Sequence, residues 1–155
     1  MKFEQITNTA LETKNKGKEL AKKVLKEQVM IKAQILALRG ELGGGKTTFL
    51  QGFAMGLGIK QKILSPTFVI LKKFKIKHPS FKFFYHIDCY RIKKPKEILD
   101  LGFKKIIADP KNIIAVEWSD RIKKLLPPNT IFISFEFYNK NKRKIKIQWP
   151  KKKNV

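Results

Sequence analysis

The spacing of apolar and polar residues in the first part of the chain predicts a helix, a buried strand and a second helix. Residues 9–28 place apolar side chains such as Leu20 and Val24 among many Lys and Glu, which is typical of an amphipathic helix with one solvated face. Residues 33–38 form a short apolar run that leads into glycines, as expected of a buried parallel strand followed by a tight turn. Residues 46–57 again have helical composition.

The rest of the chain alternates between strand-like and helix-like segments. Two runs rich in Phe, Ile and Tyr predict a strand pair, and two alternating runs near the end predict an antiparallel hairpin. The predicted segments are strands at 68–76 and 81–90, a short helix at 95–101, a buried strand at 113–116, a short helix at 121–126, and strands at 131–138 and 144–149. We therefore predict an α/β fold with a mixed sheet in one domain, residues 1–155, with a basic tail at about 150–155.

Charge and composition narrow the class of protein only slightly. The 155 residues carry 35 Lys and Arg against 12 Asp and Glu, a formal charge of +23, and 43% of the residues are hydrophobic, enough for a packed core. Because 31 of the basic residues are Lys and only 4 are Arg, compositional drift explains the charge better than a nucleic-acid surface, which would favour Arg. A single Cys89 and the lack of a long apolar run favour a cytoplasmic protein with no membrane segment.

The strongest chemical motif lies between the first predicted strand and the second helix. Residues 40–47 read GELGGGKT and match the phosphate-binding loop pattern G-x-x-x-x-G-K-[ST] at every fixed position. Glycine lets the backbone N–H groups approach phosphate oxygens, and the helix N-terminus adds favourable charge. Lys46 would reach the β- and γ-phosphates of a nucleotide, Thr47 would complete the shell of a Mg²⁺ ion, and Thr48 offers a further contact. This motif predicts a P-loop NTPase-like three-layer fold with a mainly parallel central sheet.

Two acidic residues and one loop are candidates for the remaining chemistry. Glu117 follows the apolar run 113–116, the form expected of a strand that holds the metal shell beside a phosphate loop. Strand alternation places His86, Asp88 and Tyr90 on one face, so Asp88 would face the phosphates. Residues 65–68 (SPTF) lie where switch segments of such ATPases are found. Taken singly, these residues are better explained as an ordinary surface acid, a structural Asp–Arg pair and a turn that contains Pro. The phosphate loop upstream reverses that preference for Glu117.

Together, the motifs closely resemble the bacterial TsaE (YjeE) family of small ATPases. The matching segments, in order, are GELGGGKTTF at 40–49, SPTF at 65–68, HIDCYR at 86–91, LG at 101–102 and VEW at 116–118. The resemblance covers about residues 10–138. It departs from the family pattern mildly in the loop, at Glu41 and Gly44, and more clearly after Tyr138, where the Lys-rich sequence puts any nucleotide contact by Lys142 or Arg143 in question.

The resemblance implies an ATPase required for threonylcarbamoyladenosine modification of tRNA. Such a protein acts on the TsaB and TsaD proteins, meets tRNA only indirectly through that complex, and uses ATP and Mg²⁺ as cofactors; no DNA partner is expected. By position, the nucleotide phosphates would meet Gly43, Gly44, Gly45, Lys46, Thr47 and Thr48. The metal ligands would be Thr47 and Glu117, and Asp88 would be the acid of hydrolysis. Trp118 matches the aromatic residue after that glutamate, and Thr13 falls in the segment that approaches adenine.

Hydrolysis in such a site depends on positioning and electrostatics, with Lys46 binding charge and either Asp88 or Glu117 activating water. An arginine supplied within the chain would have to be Arg39, Arg91, Arg121 or Arg143, so we expect a low basal rate that partners increase. The alternative function is a small P-loop kinase for a small molecule or nucleotide, but no Arg-rich lid is evident. A GTPase would need the missing Asn-Lys-x-Asp motif, and a nucleic-acid-binding module would bind in a salt-dependent way without nucleotide.

Overall fold

The computed structural model describes residues 1–27, 30–41, 43, 45–64 and 70–151. Within these residues, strands and helices follow one another through most of the chain. In chain order the elements are β1 (Lys2–Thr7), α1 (Ala10–Lys26), β2 (Gln34–Gly40), α2 (Lys46–Gly56), β3 (Leu71–Lys75), β4 (Phe83–Asp88), α3 (Lys96–Leu99), α4 (Phe103–Ala108), β5 (Asn112–Glu117), a 3₁₀ helix (Ser119–Leu125), β6 (Ile131–Phe137) and β7 (Arg143–Gln148).

The strands of the described residues form one sheet of seven, in the order β1-β7-β6-β2-β5-β4-β3. The middle four strands, β6, β2, β5 and β4, run parallel to one another. The edges are antiparallel, with β3 beside β4 and with β7 between β6 and β1. Because parallel neighbours end at the same edge of a sheet, the carboxyl ends of β2, β5 and β4 lie side by side.

Helices cover both faces of the sheet and divide the core in two. The alternating residues Leu36 and Leu38 of β2 pack with α1 and α2, whereas Ile35 of the same strand packs with α3, α4 and the 3₁₀ helix. The middle strands are buried on both faces, as parallel strands between two helical layers must be. By strand alternation, Asp88 and Glu117 lie on the same face of the sheet as Phe84 and Ala115, which is the face covered by α1 and α2.

The packing of α1 against α2 depends on glycines that allow the two backbones to touch. A Cβ added at Gly17 would overlap the carbonyl oxygen of Phe49, and one at Gly52 would overlap that of Lys14. Gly56 makes a similar approach to α1, where an added Cβ would lie 2.6 Å from Ala21 Cβ. Gly17, which weakens the helical pattern in the sequence, is thus one of three glycines that let α1 lie close to α2.

Most of the predicted elements are present, with ends shifted by a few residues. The first helix, the strand before the glycine-rich loop, the helix after it, the β3–β4 pair and the β6–β7 hairpin are confirmed, and the α/β class with a mixed sheet is confirmed with them. The hairpin is part of the main sheet, since β1 pairs with its outer strand. The predicted end of the first helix at Gln28, the segment 65–68 and the tail beyond residue 151 lie outside the described residues.

Two elements, β1 and α4, are absent from the sequence-based prediction. Only Thr7 of β1 is buried, so the strand has no apolar alternation to reveal it. Helix α4 has only 6 residues and starts after Gly102 in a left-handed conformation (φ 85°). The segment predicted as a short helix at 121–126 is a 3₁₀ helix that begins at Ser119. Short and edge elements are stabilised by their neighbours, and their own sequences therefore carry little signal.

The interior also settles two minor features of the sequence. Burial raises the pKa of the Cys89 thiol to about 12, so this side chain is a protonated core residue. In the part of the chain that the structure describes, every helix is too short or too polar to cross a bilayer.

Replacing Gly17 by Ala should destabilise the protein although alanine favours helices. The new methyl group would collide with backbone atoms of α2, which cannot move aside as a flexible side chain would. We expect the free energy of unfolding to fall by about 1–3 kcal/mol, as is usual for overpacking. Urea denaturation followed by circular dichroism measures it. Asn15→Ala, at an exposed position of the same helix, is the matched control and should be neutral or slightly stabilising; equal effects of the two changes would contradict this packing.

Candidate functional site

The glycine-rich loop joins the end of β2 to the start of α2 at the carboxyl edge of the sheet. Gly43 (φ 76°) and Gly45 (φ 94°) take left-handed conformations that residues with a Cβ rarely adopt. Gly45 is the N-cap of α2 and supplies no side-chain hydrogen bond to the helix. The first turn of α2 therefore presents backbone N–H groups and the positive end of its dipole without a capping side chain, which suits an anion.

Lys46 is held against the loop that precedes it. Its Nζ donates hydrogen bonds to the carbonyl oxygens of Gly40 (2.6 Å) and Glu41 (2.8 Å) and lies 4.5 Å from the centre of the Trp118 ring. The residue is only 6% exposed. Burial lowers the pKa of Lys46, and the charges of nearby acids, Glu117 first among them, oppose that shift. A cation in this position is ready to exchange neutral carbonyl partners for more strongly charged oxygens.

The two candidate acids sit next to each other at the ends of neighbouring strands. Asp88 of β4 and Glu117 of β5 are partners in the parallel register, and both side chains are buried. Asp88 Oδ1 accepts a hydrogen bond from the backbone N–H of Tyr90 (2.9 Å), which fixes the turn after β4. The strand ends thus bring two carboxyl groups close to Lys46, whose pKa responds to both.

Glu117 contacts side chains from two neighbouring elements, α2 and β4. Thr47 Oγ1 of α2 donates a hydrogen bond to Glu117 Oε1 (3.3 Å), and His86 Nε2 of β4 lies 2.6 Å from Glu117 Oε2. A hydroxyl and a carboxylate oxygen are hard donors of the kind Mg²⁺ prefers. The described residues contain no cluster of three or more His, Cys, Asp or Glu able to enclose a metal. This donor set fits a cation that takes its remaining ligands from phosphate and water.

Thr13 and Arg143 flank the loop on its other side. A methyl group added at Gly45 would lie 3.5 Å from Thr13 Cγ2 and 3.7 Å from Arg143 Cγ. The Thr13 hydroxyl is buried and hydrogen-bonded to Thr7 Oγ1 (2.7 Å). Arg143 donates from its guanidinium to carbonyl oxygens of the β6–β7 turn, and its buried Nε has no hydrogen-bond partner among the described residues. Together they form one wall of the candidate site.

An aromatic pair closes the site near Lys46. Trp118 has φ 55°, the only positive value at a residue other than glycine in the described part of the chain. Its ring packs 5.1 Å from that of Tyr90, and the guanidinium of Arg121 lies 5.8 Å from both rings. A bulky residue in this conformation costs on the order of 1–3 kcal/mol, which neighbouring contacts must offset. Backbone strain of this kind is concentrated at functional sites.

The structure brings most of the sequence-predicted residues together. Lys46, Thr47, Asp88, Glu117 and Trp118 converge at one edge of the sheet. Thr48 lies half-buried on α2, one residue further along. The roles of these residues, of Gly43 and Gly45, and of Thr13 near adenine stay predictions, and Gly44 and the segment 65–68 lie outside the described residues.

The structure adds His86 to the site and shows where Arg143 and Arg39 lie. Strand alternation puts His86 on the same face as Asp88 but gives it no role, and the structure shows it to be the closest side-chain partner of Glu117. Arg143 belongs to the Lys-rich hairpin whose contacts the sequence leaves in question, yet it lies against the start of α2. Arg39, another candidate for catalysis, is on the opposite face of β2, where it donates to Ser134 Oγ (2.8 Å).

Comparisons with known proteins identify relatives of this chain. A family model described as threonylcarbamoyl adenosine biosynthesis protein TsaE matches residues 7–145. A Rickettsia typhi protein named tRNA threonylcarbamoyladenosine biosynthesis protein TsaE is 38% identical over 142 residues, 91% of each chain. A Haemophilus influenzae protein of the same name is 32% identical over 123 residues, 79% of this chain and 75% of that one. The crystal structure of Bacillus subtilis YdiB aligns with a TM-score of 0.75 and 27% identity over 97% of this chain and 87% of that chain.

Arg143→Ala should loosen the β6–β7 turn without unfolding the protein. The change removes donations to the carbonyl oxygens of Asn139 (2.7 Å) and Lys140 (3.2 Å), so we expect the free energy of unfolding to fall by about 1–2 kcal/mol. Amide exchange of Tyr138, whose N–H bonds to the Lys142 carbonyl, should become faster. The control is Lys140→Ala, which removes a charge from the same turn but keeps its carbonyl; similar exchange in both variants would argue against an anchoring role for Arg143.

Proposed function

Because the chain belongs to the TsaE family of tRNA threonylcarbamoyladenosine biosynthesis proteins, we propose that it serves this pathway as an ATPase. In this proposal it binds ATP with Mg²⁺ at the loop of residues 40–47 and hydrolyses it to support tRNA modification. One observation carries the proposal more than any other. A buried lysine, an uncapped helix N-terminus and two carboxyl groups converge at the carboxyl edge of parallel strands.

Phosphate binding is assigned to the loop and to Lys46, in a fold of the P-loop NTPase type. The glycines let backbone N–H groups approach the phosphates, with Gly44 included on the basis of the motif alone. Lys46 would leave the carbonyl oxygens of Gly40 and Glu41 and bind β- and γ-phosphate oxygens. The exchange is favourable because a charged acceptor makes a stronger hydrogen bond to the ammonium than a neutral carbonyl does.

Thr47 and Glu117 are the residues that would hold Mg²⁺. Their oxygens are within hydrogen-bond distance of each other, so a small movement would let both face one cation. When bound, the ion would neutralise charge on the β- and γ-phosphate oxygens. Its remaining ligands would be phosphate oxygens and water, because the described residues contain no group of three or more His, Cys, Asp or Glu that could hold the ion alone.

We assign to Asp88 the orientation of the attacking water. Both carboxylate oxygens of Glu117 already have partners, Thr47 for one and His86 for the other. We therefore assign Glu117 to the cation and not to the attacking water. Asp88 lies next to Glu117 on the neighbouring strand and contributes to the charge around Lys46. A carboxylate held in that position can accept a proton from water as it attacks the γ-phosphate.

The nucleoside would lie beyond the loop, between Thr13 and Arg143 on one side and Trp118 on the other. The Thr13 methyl group and the Arg143 stem adjoin Gly45, and the Trp118 ring adjoins Lys46. Because the Thr13 hydroxyl is bonded to Thr7, its contact with a base would be apolar unless that bond breaks. This arrangement supports both Thr13 and Trp118 as nucleotide contacts.

We propose that the TsaB–TsaD pair completes the site and that tRNA is met only through that complex. Two arginines near the loop are already engaged with backbone carbonyl oxygens, Arg121 with Ile92 (3.2 Å) and Arg143 with the β6–β7 turn. Neither is poised to stabilise a transferring phosphoryl group without rearrangement. A low basal rate that rises when partners bind follows from this arrangement.

Lys46→Ala should weaken ATP binding by about 10–100-fold and lower stimulated hydrolysis by about 100-fold or more. The lost interaction is a charge-assisted hydrogen bond, typically about 1.5–3 kcal/mol, that tightens in the transition state. Calorimetric titration with a non-hydrolysable ATP analogue and phosphate release with and without the TsaB–TsaD pair give the two quantities. Lys22→Ala removes an exposed lysine near the far end of α1 and should change neither.

Three results would contradict the proposed function. The first is rapid hydrolysis by the isolated protein with no increase on adding TsaB and TsaD. The second is transfer of the γ-phosphate to an acceptor other than water. The third is a protein that binds RNA but not ATP, with RNA binding unchanged by Lys46→Ala. The second result would indicate a kinase.

Asp88→Asn and Glu117→Gln should separate hydrolysis from metal binding. The amide that replaces the Asp88 carboxylate keeps an oxygen to accept from the Tyr90 N–H but cannot take a proton from water. We therefore expect Asp88→Asn to lower kcat by about 10²–10⁴-fold with Mg-ATP affinity nearly unchanged. Glu117→Gln should instead raise the Mg²⁺ concentration needed for half-maximal nucleotide binding. Single-turnover hydrolysis and Mg²⁺ titrations distinguish the two, and an Asp88→Asn variant with normal turnover would assign the water to another residue.

A further inference from the structure

His86 is a fully buried ionisable residue next to the candidate site. It lies on β4, is 0% exposed, and its Nε2 is 2.6 Å from Glu117 Oε2. This contact is shorter than the 3.3 Å hydrogen bond that Glu117 accepts from Thr47. With Glu117 ionised, the carboxylate is acceptor only, so Nε2 carries the proton and donates.

The sheet geometry places His86 behind the carboxyl group and not in front of it. In the parallel register His86 is opposite Ala115, whereas Glu117 is opposite Asp88, so the histidine is two residues closer to the amino ends of the strands. The loop and Thr47 lie at the carboxyl ends. His86 therefore reaches Glu117 from the core side and is screened from a nucleotide by Glu117 and Asp88.

The hydrogen bond between His86 and Glu117 explains how the Glu117 carboxyl group is oriented. A buried carboxylate with one oxygen on Thr47 could rotate about its last bond, but a short hydrogen bond to the second oxygen fixes the plane. Oε1 then faces Thr47 and the loop, and Oε2 faces the core. Hydrogen-bonded groups behind a metal ligand commonly fix its orientation in this way.

A histidine at this position carries a desolvation cost that an apolar side chain would avoid. Nδ1 is buried and has no hydrogen-bond partner among the described residues. On the core side the residue lies near apolar groups such as Phe84 and Ala115, where an apolar ring would pack without an unpaired nitrogen. The short hydrogen bond to Glu117 is therefore the contact that offsets this cost.

We propose that His86 is a positioning residue that holds the Glu117 carboxylate in the orientation needed to bind a divalent cation with the nucleotide. The proposal rests on the proposed function, because it assigns Glu117 to the cation. It does not give His86 a contact with nucleotide or metal. Loss of the hydrogen bond should therefore weaken binding of the cation and leave metal-free nucleotide binding in place.

The test is calorimetric titration of ADP, first in EDTA and then over a series of Mg²⁺ concentrations. His86→Phe keeps a ring but removes both nitrogens, and we expect it to raise the half-saturating Mg²⁺ concentration by about 10–100-fold. The Kd for ADP in EDTA should stay within about twofold of the wild type. His86→Gln can place an amide N–H near the position of Nε2 and should recover much of the loss. Ile87→Val, a small change at the next buried residue of β4 facing the other core, is the matched control and should behave as the wild type.

A double variant separates positioning from general damage. If His86 acts through Glu117, His86→Phe should change Mg²⁺ dependence by less than about twofold when Glu117→Gln is already present. An unchanged Mg²⁺ requirement in His86→Phe, or an additive effect in the double variant, would overturn the inference. A wild type whose ADP binding is insensitive to Mg²⁺ would instead contradict the proposed function and the inference together.

Should His86→Phe fail to fold, His86→Gln and His86→Asn decide the question. The shorter Asn amide does not reach Glu117 as Nε2 does, so we expect a near-normal Mg²⁺ requirement for Gln and a raised one for Asn. Equal requirements in the two variants would overturn the inference. Thermal unfolding of each variant without ligand shows whether a change in Mg²⁺ dependence merely follows lost stability.

Discussion

The parallel pairing of β5 with both β2 and β4 is the constraint on which the site depends. Register places Glu117 beside Asp88 on one side, and beside Leu38, two residues before the loop, on the other. All three strands end at one edge of the sheet. The pairing alone therefore brings the loop, the two acids and the start of α2 close together. A one-residue slip of β5 would turn Glu117 to the opposite core and bring Val116 to the site.

The same arrangement concentrates ionisable groups where the protein is least able to solvate them. Lys46 is 6% exposed, Asp88 8% and Glu117 2%, with His86 wholly buried. These groups are stabilised mainly by one another and by backbone groups, so the site behaves as one network in which removing a member leaves others unpaired. The strained backbone at Trp118 adds to the cost. The rest of the fold must therefore supply the stability that offsets these costs.

The sequence was most informative where a local pattern and a buried position coincide. The loop at 40–47, the acid after the apolar run 113–116 and Asp88 could all be placed because motif and strand alternation specify position directly. What could not be predicted depends on contacts between distant segments. Arg143 meets Gly45 only because β7 joins the main sheet, and His86 meets Glu117 only because β4 and β5 are neighbours in a particular register. Neither relation has a signature in the residues nearby.

The arginines make different contacts from the surface lysines. Three of the 4 arginines make hydrogen bonds that suit a rigid, forked donor, namely Arg39 to Ser134, Arg121 to the Ile92 carbonyl and Arg143 to a turn of carbonyls. The lysines are spread over nearly every element, and ion pairs such as Lys16–Glu19 and Lys146–Glu136 lie at the surface. A lysine can replace arginine wherever charge or solubility is all that is required, but not where geometry is required. These three arginines therefore occupy positions that use the geometry of a forked donor, whereas the lysines of these surface ion pairs make contacts that require charge alone.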